Sequence, residues 1–462
     1  MNKRMAIITS YFEGETHGML GPQMAATIIS QNTPYDCIVI GVTRGDDDTL
    51  IKKSLADFFG NERPVIGFST LSGREDLFSL AKQFKDEGAV TILAGPQTHA
   101  DYLGEIEYAN YPHRFPGLSN CFTHSIHGPA EQAIPFLKGL DVNDPTDCPG
   151  LLFIDNNGQK IINREKDWEE KYLNSVKWDN LYRIGKEGLV PLEVSLAQVL
   201  QQIGCPHAVR GKWVDLDYPS SIKDWEEKKV NLYLKGCSFC DVAIDKGFNG
   251  ELEMATVLGQ ICCLPEHGDG KKIPFELINE NPLFRLPGLL LEIKSRGISL
   301  SQINLILRAD YFLKGESLLR KSLEIAGDLG IHILASSIGL EAFDDRLLQN
   351  FNKGLNLETN LKAIRLMRRL KEDYPDEWSY SKSDGAIHGF IHPTPWDTKE
   401  TLANTRKNIA IYGLDRDILP PNSTPLIIHH ASTLGDWIRE VEKRERIHYR
   451  RYGSIIGWWK EE

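Results

Sequence analysis

Three cysteines carry the clearest chemistry in this sequence. Cys237 and Cys240 are separated by two residues and follow an apolar run at 230–234, while Cys205 lies upstream between a glycine and a proline. Two thiolates at this spacing on a turn can hold one metal ion or one edge of a cluster. Three thiolates on a four-iron cluster leave one iron open for another ligand, whereas a structural zinc ion normally needs a fourth protein ligand.

The other cysteines leave the zinc alternative open. Cys262 and Cys263, or His267, could supply further zinc ligands, but the pattern at 261–264 is more typical of a helix core. Cys37 lies in a strand-like run and is also expected in the core. With eight cysteines and a predicted reducing compartment, we expect thiols or metal ligands rather than a disulfide framework.

Composition and charge narrow the possible classes of function. The chain has 462 residues, 41% of them hydrophobic, which predicts a globular protein of one to three domains. The net charge of −11 argues against a general nucleic-acid-binding protein. No apolar run is long enough to span a membrane, and the first residues lack the pattern of a signal peptide, so a cytoplasmic location is predicted.

The N-terminal region alternates short apolar runs with helical stretches. Runs at 6–8, 37–41, 65–69 and 90–95 end in small residues, as buried parallel strands do. The pattern predicts an α/β fold with a doubly wound parallel sheet, which binds ligands at the carboxyl ends of its strands. The candidate binding residues at those ends are Ser69, Thr70, Gly95, Pro96, Gln97, Gly128 and Glu131.

A second strand–helix series begins near residue 190. Its first strand is either 192–195 or 230–234, and a helix at 357–371 has apolar residues on one face. About six repeats are too few for an eightfold barrel, so we expect an open partial barrel. The predicted domains are 1–140, a connector at 141–190, the barrel at 191–430 and a helical tail at 431–462.

The cysteines and several downstream segments together resemble the radical S-adenosylmethionine (SAM) enzymes. The family motif CxxxCxxC would be split here, since 31 residues separate Cys205 from Cys237. Loop-closure entropy grows slowly with length, so such an insertion is tolerated, and 210–229 is expected at the surface. The resemblance implies a partial (β/α)6 radical SAM barrel over about 190–435.

The resemblance also implies roles for individual residues. Cys205, Cys237 and Cys240 would hold a [4Fe–4S] cluster that binds SAM. The residues implied to contact the cluster or SAM, through its amino group, carboxylate, ribose or adenine, are Phe239, Glu280, Asn281, Arg308, Ser337, Glu341, Ile387 and Gly389. Four histidines could face the cavity as acids or bases: His388, His392, His429 and His430.

The N-terminal region resembles the Rossmann-like cobalamin-binding domains joined to radical SAM barrels. The segments that carry this resemblance are 66–69, 93–97 and 128–131. His17, in a segment near the family's cobalt-ligand motif, is a possible cobalt ligand, although many relatives lack one. Loss of cobalamin from this domain also remains open.

The implied activity is formation of a 5′-deoxyadenosyl radical, followed by cobalamin-dependent methylation of an unactivated carbon. Two alternatives remain open: cyclisation or rearrangement without methyl transfer, and a zinc-stabilised cobalamin-binding protein without enzymatic activity. A dinucleotide-binding enzyme is disfavoured because no GxGxxG follows the first strand. The expected partners are a small-molecule or natural-product substrate and a reducing protein such as flavodoxin or ferredoxin, with no nucleic acid.

Overall fold

A computed structural model of the chain describes residues 3–69, 73–140, 147–240 and 248–461. These residues divide into two units. The first comprises 1–197, 259–265 and 451–455, and the second comprises 198–258, 266–450 and 456–462.

The first unit is built on a nine-stranded sheet. Its strands are β1 Lys3–Ser10, β2 Tyr35–Val42, β3 Val65–Ser69, β4 Val90–Ala94, β5 His124–Ile126, β6 Leu151–Ile154, β7 Lys160–Ile162, β8 Leu181–Gly185 and β9 Gly188–Pro191. Its helices up to residue 140 are α1 Leu20–Asn32, α2 Asp48–Phe59, α3 Glu75–Asp86, α4 Thr98–Leu103 and α5 Ala133–Gly139.

The strand order of this sheet is β7-β6-β5-β4-β3-β1-β2-β8-β9, and its central pairs from β5 to β8 are parallel. The chain reverses direction across the sheet between β1 and β3, which is where doubly wound sheets bind ligands. Both sheet faces are apolar, with Ile8 and Ile40 buried on one face and Ile7 and Val39 on the other. This part of the fold prediction is confirmed.

The predicted connector contains regular structure. Strands β6, β7 and β8 and part of β9 fall within 141–190 and extend the sheet at both edges. The pairs β5–β6, β6–β7 and β8–β9 are antiparallel. Short hairpins at a sheet edge can add strands without a helical crossover, so a charged, turn-rich stretch is still part of the sheet.

The second unit contains a partial barrel of parallel strands with covering helices. The remaining strands are β10 Ala197–Leu200, β11 Gln202–Gly204, β12 Gly211–Asp217, β13 Lys229–Lys235, β14 Phe248–Glu251, β15 Phe275–Ile278, β16 Gln302–Arg308, β17 His332–Glu341, β18 Trp378–Ser379, β19 Gly389–Phe390, β20 Ile428–His429, β21 Tyr449–Tyr452 and β22 Ile455–Glu461. The remaining helices are α6 Met254–Cys262, α7 Leu286–Ser295, α8 Ala309–Lys314, α9 Glu316–Leu329, α10 Asp345–Asn350, α11 Leu357–Asp373, α12 Lys399–Tyr412, α13 Leu414–Asp417 and α14 Thr433–Glu445.

The barrel sheet has the order β10-β15-β16-β17-β18, with β19 also paired to β17. The pairs β15–β16, β16–β17, β17–β18 and β17–β19 are parallel. Six strands in an open sheet confirm the predicted partial barrel. The predicted helix at 357–371 is α11, with Leu361, Ile364, Met367 and Leu370 buried on one face.

Three local predictions are wrong. The first barrel strand is Ala197–Leu200, so neither 192–195 nor 230–234 fills that role. Within the described part of the 431–462 tail, only Thr433–Glu445 is helical, because Arg446 ends the helix with a positive φ of 56° and the chain then forms β21 and β22. Cys262 and Cys263 are exposed rather than in a helix core, since the buried positions are the flanking Ile261 and Leu264.

Candidate functional site

The strands β12 and β13 form an antiparallel ribbon. This ribbon explains how two cysteine loops that are far apart in the sequence can contribute to one site. In this ribbon Gly211 lies opposite Lys235 and Asp217 lies opposite Lys229. Cys205 precedes Gly211 by six residues and Cys237 follows Lys235 by two. The hairpin 211–235, which includes the loop 218–228 between its two strands, therefore takes up 25 of the 31 residues, and only 206–210 and Gly236 remain outside it.

The ribbon is held by one buried face. Leu216, Val230 and Leu234 are fully buried in the apolar core of the second unit, and they alternate with outward-facing residues. This period-2 pattern fixes the pairing register, because a slip by one residue would turn the buried face to solvent. The register in turn fixes the ribbon end from which the cysteine loops emerge.

Each cysteine loop is closed by a short backbone turn. Cys205 precedes the short 3₁₀ turn Pro206–Ala208, and its carbonyl accepts a hydrogen bond from the Ala208 amide at 2.9 Å. The Cys240 amide donates to the Cys237 carbonyl at 3.2 Å, which closes the second turn. All three thiols are partly accessible.

The segment 350–354 contacts both cysteine loops. The Asn352 side chain donates to the Gly236 carbonyl at 2.7 Å, and its backbone carbonyl lies 3.2 Å from His207 Nε2. Ser238 binds the same segment through its amide and hydroxyl groups, at 2.9 and 2.8 Å. Asn352 has a positive φ of 48°, a conformation that asparagine tolerates better than most residues. The segment therefore links the two halves of the motif.

Arg308, at the end of β16, places a buried positive charge beside a cysteine. Its Nη1 lies 3.8 Å from Cys237 Sγ, its Nη2 donates to the Lys353 carbonyl at 2.6 Å, and its Nε bonds Asp310 at 3.1 Å. The side chain is thus held from three directions. A guanidinium in this position stabilises the thiolate form of Cys237.

A second buried cation lies close by. Lys353 Nζ forms an ion pair with Glu341 Oε1 at 2.6 Å, and both side chains are almost fully buried. Glu341 has a positive φ of 62°. A Cβ at Gly389 would lie 2.6 Å from Glu341 Oε2, and one at Gly339 would overlap Lys353 Nζ. Glycines at these positions therefore leave room for the pair.

The acids and thiols of this site have shifted pKa values. Burial raises the pKa of Cys205 to about 11, and the nearby charges of Glu280 and Cys237 act in the same direction. Burial also raises the pKa of Cys237 and of Glu280, opposed in both cases by Lys353 and Arg308. The ligand-free thiols of Cys205 and Cys237 are therefore protonated near neutral pH, and metal binding would have to displace those protons.

In the part of the chain that the structure describes, the three thiols do not form a compact site for a single ion. Within the described residues, no set of three candidate ligand atoms that includes these sulfurs lies within 4.8 Å. A tetrahedral zinc ion with bonds of about 2.3 Å needs ligands closer than that. A cubic cluster accepts wider spacing because each thiolate binds a different iron. Three thiolates are the donor set that a four-iron cluster with one open iron uses.

The other predicted residues of the second unit lie at strand ends or beside the cysteines. Asn281 follows β15, and its amide is bonded to Asn279 at 2.8 Å. Ser337 lies in β17, paired with Ile306 of β16. The Phe239 ring packs edge-on against Phe351 at 5.3 Å.

Ile387 is 69% exposed, and its amide donates to the Ser336 carbonyl at 2.7 Å. Its side chain therefore stands outside the apolar core, as a residue that contacts a ligand would.

His388 is structural rather than a free acid or base. It is fully buried, its Nδ1 accepts from the Ile338 amide at 3.0 Å, and its Nε2 donates to the Tyr380 carbonyl at 2.7 Å. Both ring nitrogens are thereby occupied, and burial lowers the pKa of the ring, which keeps it neutral.

His392, by contrast, is partly exposed and pairs with Asp397 at 3.0 Å. Of these two histidines, it alone keeps a side chain accessible to solvent.

In the first unit, the candidate residues lie at the carboxyl ends of the parallel strands. Ser69 ends β3 and is buried, while Thr70 lies outside the described residues. Gly95, with φ of 104°, precedes Pro96, and Gln97 has φ of 61°. The Thr98 hydroxyl donates to the Gly95 carbonyl and fixes this turn at the start of α4.

The loop after β5 is also held by backbone conformation. Gly128 has a φ of 89°, and a Cβ there would lie 2.5 Å from both Gln132 and Glu165. Glu131 is buried; its Oε1 accepts from the Glu169 amide at 2.7 Å, while its Oε2 has no hydrogen-bond partner. Burial raises the pKa of this carboxyl, so it is better suited to a neutral, hydrogen-bonded state.

His17 lies in the loop after β1 and is exposed to solvent. Its backbone carbonyl accepts from the Tyr11 hydroxyl at 2.7 Å, and its backbone forms a parallel bridge with Leu196. The loop is therefore anchored, whereas the imidazole remains accessible.

Sequence reasoning missed the side chains that support the cysteines. His207 and Asn352 join the two loops, and Lys353 supplies a buried charge. A lysine, an asparagine and a glycine just after an apolar helix indicate a cap. Only the fold brings this cap to residues more than a hundred positions away.

Comparisons with known proteins give the fold. The chain has the fold of the cobalamin-dependent S-adenosylmethionine radical enzyme OxsB. Two OxsB structures align with this chain at a TM-score of 0.60 and 12% sequence identity. One contains aqua-cobalamin, and the other contains aqua-cobalamin and S-adenosylmethionine. The alignment covers 98% of this chain and 64% of OxsB, so this chain spans about two thirds of that protein. The predicted resemblance is confirmed at the level of fold.

Sequence comparisons add little. No protein-family model matches the chain. The human protein described as RNA-binding protein 6 is 30% identical over 220 residues, which cover 41% of this chain but 18% of that protein. This partial match does not support nucleic-acid binding. None of the helices in the described ranges has the length and apolar character needed to cross a bilayer.

Proposed function

We propose that this chain is a radical SAM enzyme in which Cys205, Cys237 and Cys240 hold a [4Fe–4S] cluster. When bound, that cluster would supply the electron that cleaves SAM and generates a 5′-deoxyadenosyl radical. The observation that carries the proposal is the ribbon register, which brings two distant cysteine loops to one end of an antiparallel ladder. The OxsB-like fold supports the same assignment.

The residues around the cysteines are suited to hold SAM. Glu280 is a buried carboxyl within the field of two cations and can accept hydrogen bonds from an amino group. Glu341 is already paired with Lys353 and can offer its second carboxylate oxygen to a hydroxyl group. Gly389 lies against that oxygen and lets a flat ring approach the backbone. Arg308, held at all three nitrogens, acts on Cys237 rather than on the SAM carboxylate.

For the first unit we propose cobalamin binding at the strand-end loops. Gly95 and Gly128 are exposed in these loops, and buried Glu131 holds the second loop by accepting from the Glu169 amide. A large cofactor with many amide side chains fits this mixture of backbone and neutral polar groups. Methylation of an unactivated carbon is the reaction we propose for the two cofactors together.

The decisive experiment is anaerobic reconstitution with iron, sulfide and hydroxocobalamin, comparing wild type with Cys205→Ala. We expect about four irons per wild-type chain and SAM cleavage, with both largely lost in the variant. Cys262→Ser, at an exposed cysteine, is the matched control and should behave like wild type. A full cluster and normal SAM cleavage in Cys205→Ala would contradict the split-motif assignment.

Product analysis separates methylation from the alternative radical outcomes. Methylation predicts that S-adenosylhomocysteine and 5′-deoxyadenosine both form, with two SAM molecules consumed for each product. Formation of 5′-deoxyadenosine alone would favour cyclisation or rearrangement. Zinc instead of iron in anaerobically purified protein, without SAM cleavage, would favour the cobalamin-binding protein without enzymatic activity.

A further inference from the structure

The inner face of the partial barrel carries polar side chains halfway along its strands. Glu276 of β15 is paired in register with Asn304 of β16. The Gln198 amide of β10 donates to Glu276 Oε1 at 3.4 Å, and the Ser336 hydroxyl of β17 lies 3.1 Å from Glu276 Oε2. Barrel interiors are usually filled by branched apolar residues, so this composition needs a reason. We call Gln198, Glu276, Asn304 and Ser336 the inner polar cluster.

The two faces of these strands differ in accessibility. Phe275 and Leu277 flank Glu276 along β15 and are fully buried, as expected for the face beneath the covering helices. Glu276 and Ile278, which point the other way, remain partly accessible to solvent. The strand β10 shows the same alternation of buried and partly accessible residues. The inner face is therefore open enough for solvent to reach the carboxylate.

The Glu276 carboxylate has few partners for its charge. An ionised carboxylate offers about four acceptor sites, but the contact from Gln198 is long, and the Ser336 hydroxyl shares its single proton with the Leu305 carbonyl at 3.2 Å. Among the described residues, Glu276 forms no ion pair, whereas Glu341 at the end of β17 has a lysine partner. A partly buried negative charge in this state favours a cationic ligand that donates hydrogen bonds.

The inner polar cluster lies on the same strand face as the cysteine site. Alternate residues of a strand share one face, and the row that contains Asn304 continues through Ile306 to Arg308. Arg308 Nη1 lies 3.8 Å from Cys237 Sγ. Asn304 and Arg308 are four residues apart, which is about 13 Å along a strand, and Ile306 between them is partly accessible. A molecule held at Glu276 by a polar end would therefore extend past an apolar side chain toward the cysteines.

We propose that the inner polar cluster binds the protonated amino group of the substrate and that Glu276 selects this group. An alkylammonium group, like that of lysine, has a pKa of about 10.4 and is positively charged at neutral pH. Its N–H groups would donate to the Glu276 carboxylate and to the side-chain oxygens of Gln198 and Ser336. The alkyl part would pack on Ile278 and Ile306 and present a carbon toward the cysteine site. This inference rests on the proposed function and deepens it by naming the substrate class, an aliphatic amine.

The binding test uses the reconstituted protein with SAM and without reductant, titrated with hexylamine, hexan-1-ol or hexanoic acid and followed by saturation-transfer NMR. Wild type should bind hexylamine at least about tenfold more tightly than hexan-1-ol, because charge-assisted hydrogen bonds are stronger than neutral ones. Glu276→Gln should bind hexylamine at least about tenfold more weakly than wild type, with little change for hexan-1-ol. Glu324→Gln, at an exposed position of α9, is the matched control and should behave like wild type.

Three results would overturn the proposal: equal wild-type affinity for hexylamine and hexan-1-ol, tighter binding of hexanoic acid, or unchanged hexylamine affinity in Glu276→Gln. Ile306→Trp tests the same site if Glu276→Gln does not fold, because it fills the space beside the inner polar cluster and keeps the carboxylate. It should weaken hexylamine binding at least about tenfold, and unchanged binding would also overturn the proposal.

A separate measurement distinguishes this inference from the proposed function. SAM cleavage by reconstituted wild type is assayed with dithionite as the reductant. No cleavage would refute the proposed function, and a preference for hexylamine that depends on Glu276 would then indicate an amine site without radical chemistry. Cleavage of SAM together with no preference for hexylamine would refute this inference alone.

Discussion

The two candidate binding regions hold their residues by different means. In the second unit, buried charged side chains hold one another: Lys353 with Glu341, and Arg308 with Asp310 and Cys237. In the first unit, the strand-end loops depend on backbone conformation at Gly95 and Gly128. The difference matches the proposed ligands, since thiolates and SAM are charged whereas cobalamin presents many neutral amides. It also implies that substitutions should have larger effects on stability in the second unit.

The largest expected effect comes from breaking the buried ion pair. Lys353→Met removes the cation and leaves Glu341 buried without it, which should destabilise the protein by about 3–5 kcal/mol. The measurement is urea unfolding of the ligand-free protein. Lys362→Met removes an exposed lysine paired with Glu358 on α11 and should change stability by less than about 0.5 kcal/mol. A similar loss of stability in Lys353→Met and Lys362→Met would contradict the proposal that buried charges hold the second region.

The next effect concerns the link between the cysteine loops. Asn352→Ala removes the bond to the Gly236 carbonyl and should cost about 1–3 kcal/mol. We also expect less iron per chain after reconstitution and faster loss of iron to a chelator, because one of the hydrogen bonds that hold the Cys237 loop is lost. Gln349→Ala, at an exposed position of α10, is the control. Unchanged iron content in Asn352→Ala would show that the ribbon alone positions the cysteines.

A smaller effect is expected in the first unit. Gly128→Ala places a methyl group against Gln132 and Glu165 at a positive φ, and should cost more than about 1 kcal/mol. Gly158→Ala shares the positive φ but has open space around it, so it isolates the cost of backbone strain. The difference in unfolding temperature between the two variants measures the cost of the steric contact with Gln132 and Glu165. If cobalamin binds here, its affinity should fall only in Gly128→Ala.

The smallest effect is a stabilisation. Burial raises the pKa of Glu131. The folded protein therefore loses stability as the pH rises through the ordinary glutamate range, because the carboxyl ionises more readily in the unfolded chain. Glu131→Gln removes that cost and keeps an oxygen for the Glu169 amide. We expect a higher unfolding temperature than wild type at pH 7 and little difference at pH 4. A lower stability at pH 7 would indicate that the carboxylate is stabilised by a partner.

The same contrast determines what could be predicted from sequence. The parallel strands of the first unit are continuous apolar runs, which can be recognised without knowing their neighbours. The run at 230–234 is equally apolar, but only three-dimensional pairing distinguishes a ribbon strand from a barrel strand. Val230 and Leu234 are buried while Tyr233 is exposed, an alternation that indicates a half-buried strand.

The sequence identifies three cysteines as candidate ligands, but it does not identify the residues that support their loops. The spacing of Cys237 and Cys240 is a local signal, whereas Cys205 is assigned only through the resemblance to the radical SAM motif. Asn352 bonds Gly236, and His207 bonds Asn352; each bond joins residues more than a hundred positions apart. The sequence around these residues gives no sign of these contacts. Long-range polar contacts of this kind depend on how helices and strands pack, which a single sequence does not specify.

The ribbon also has a consequence for the order of folding. Hairpins form in about 1–10 μs, faster than most pairings between distant strands. Because β12 and β13 are adjacent along the chain, we expect the loops of Cys205 and Cys237 to meet as soon as this hairpin forms. The 31-residue separation of the cysteines would then add little time to folding. The two cysteine loops would be close together before the parallel strands of the barrel assemble around them.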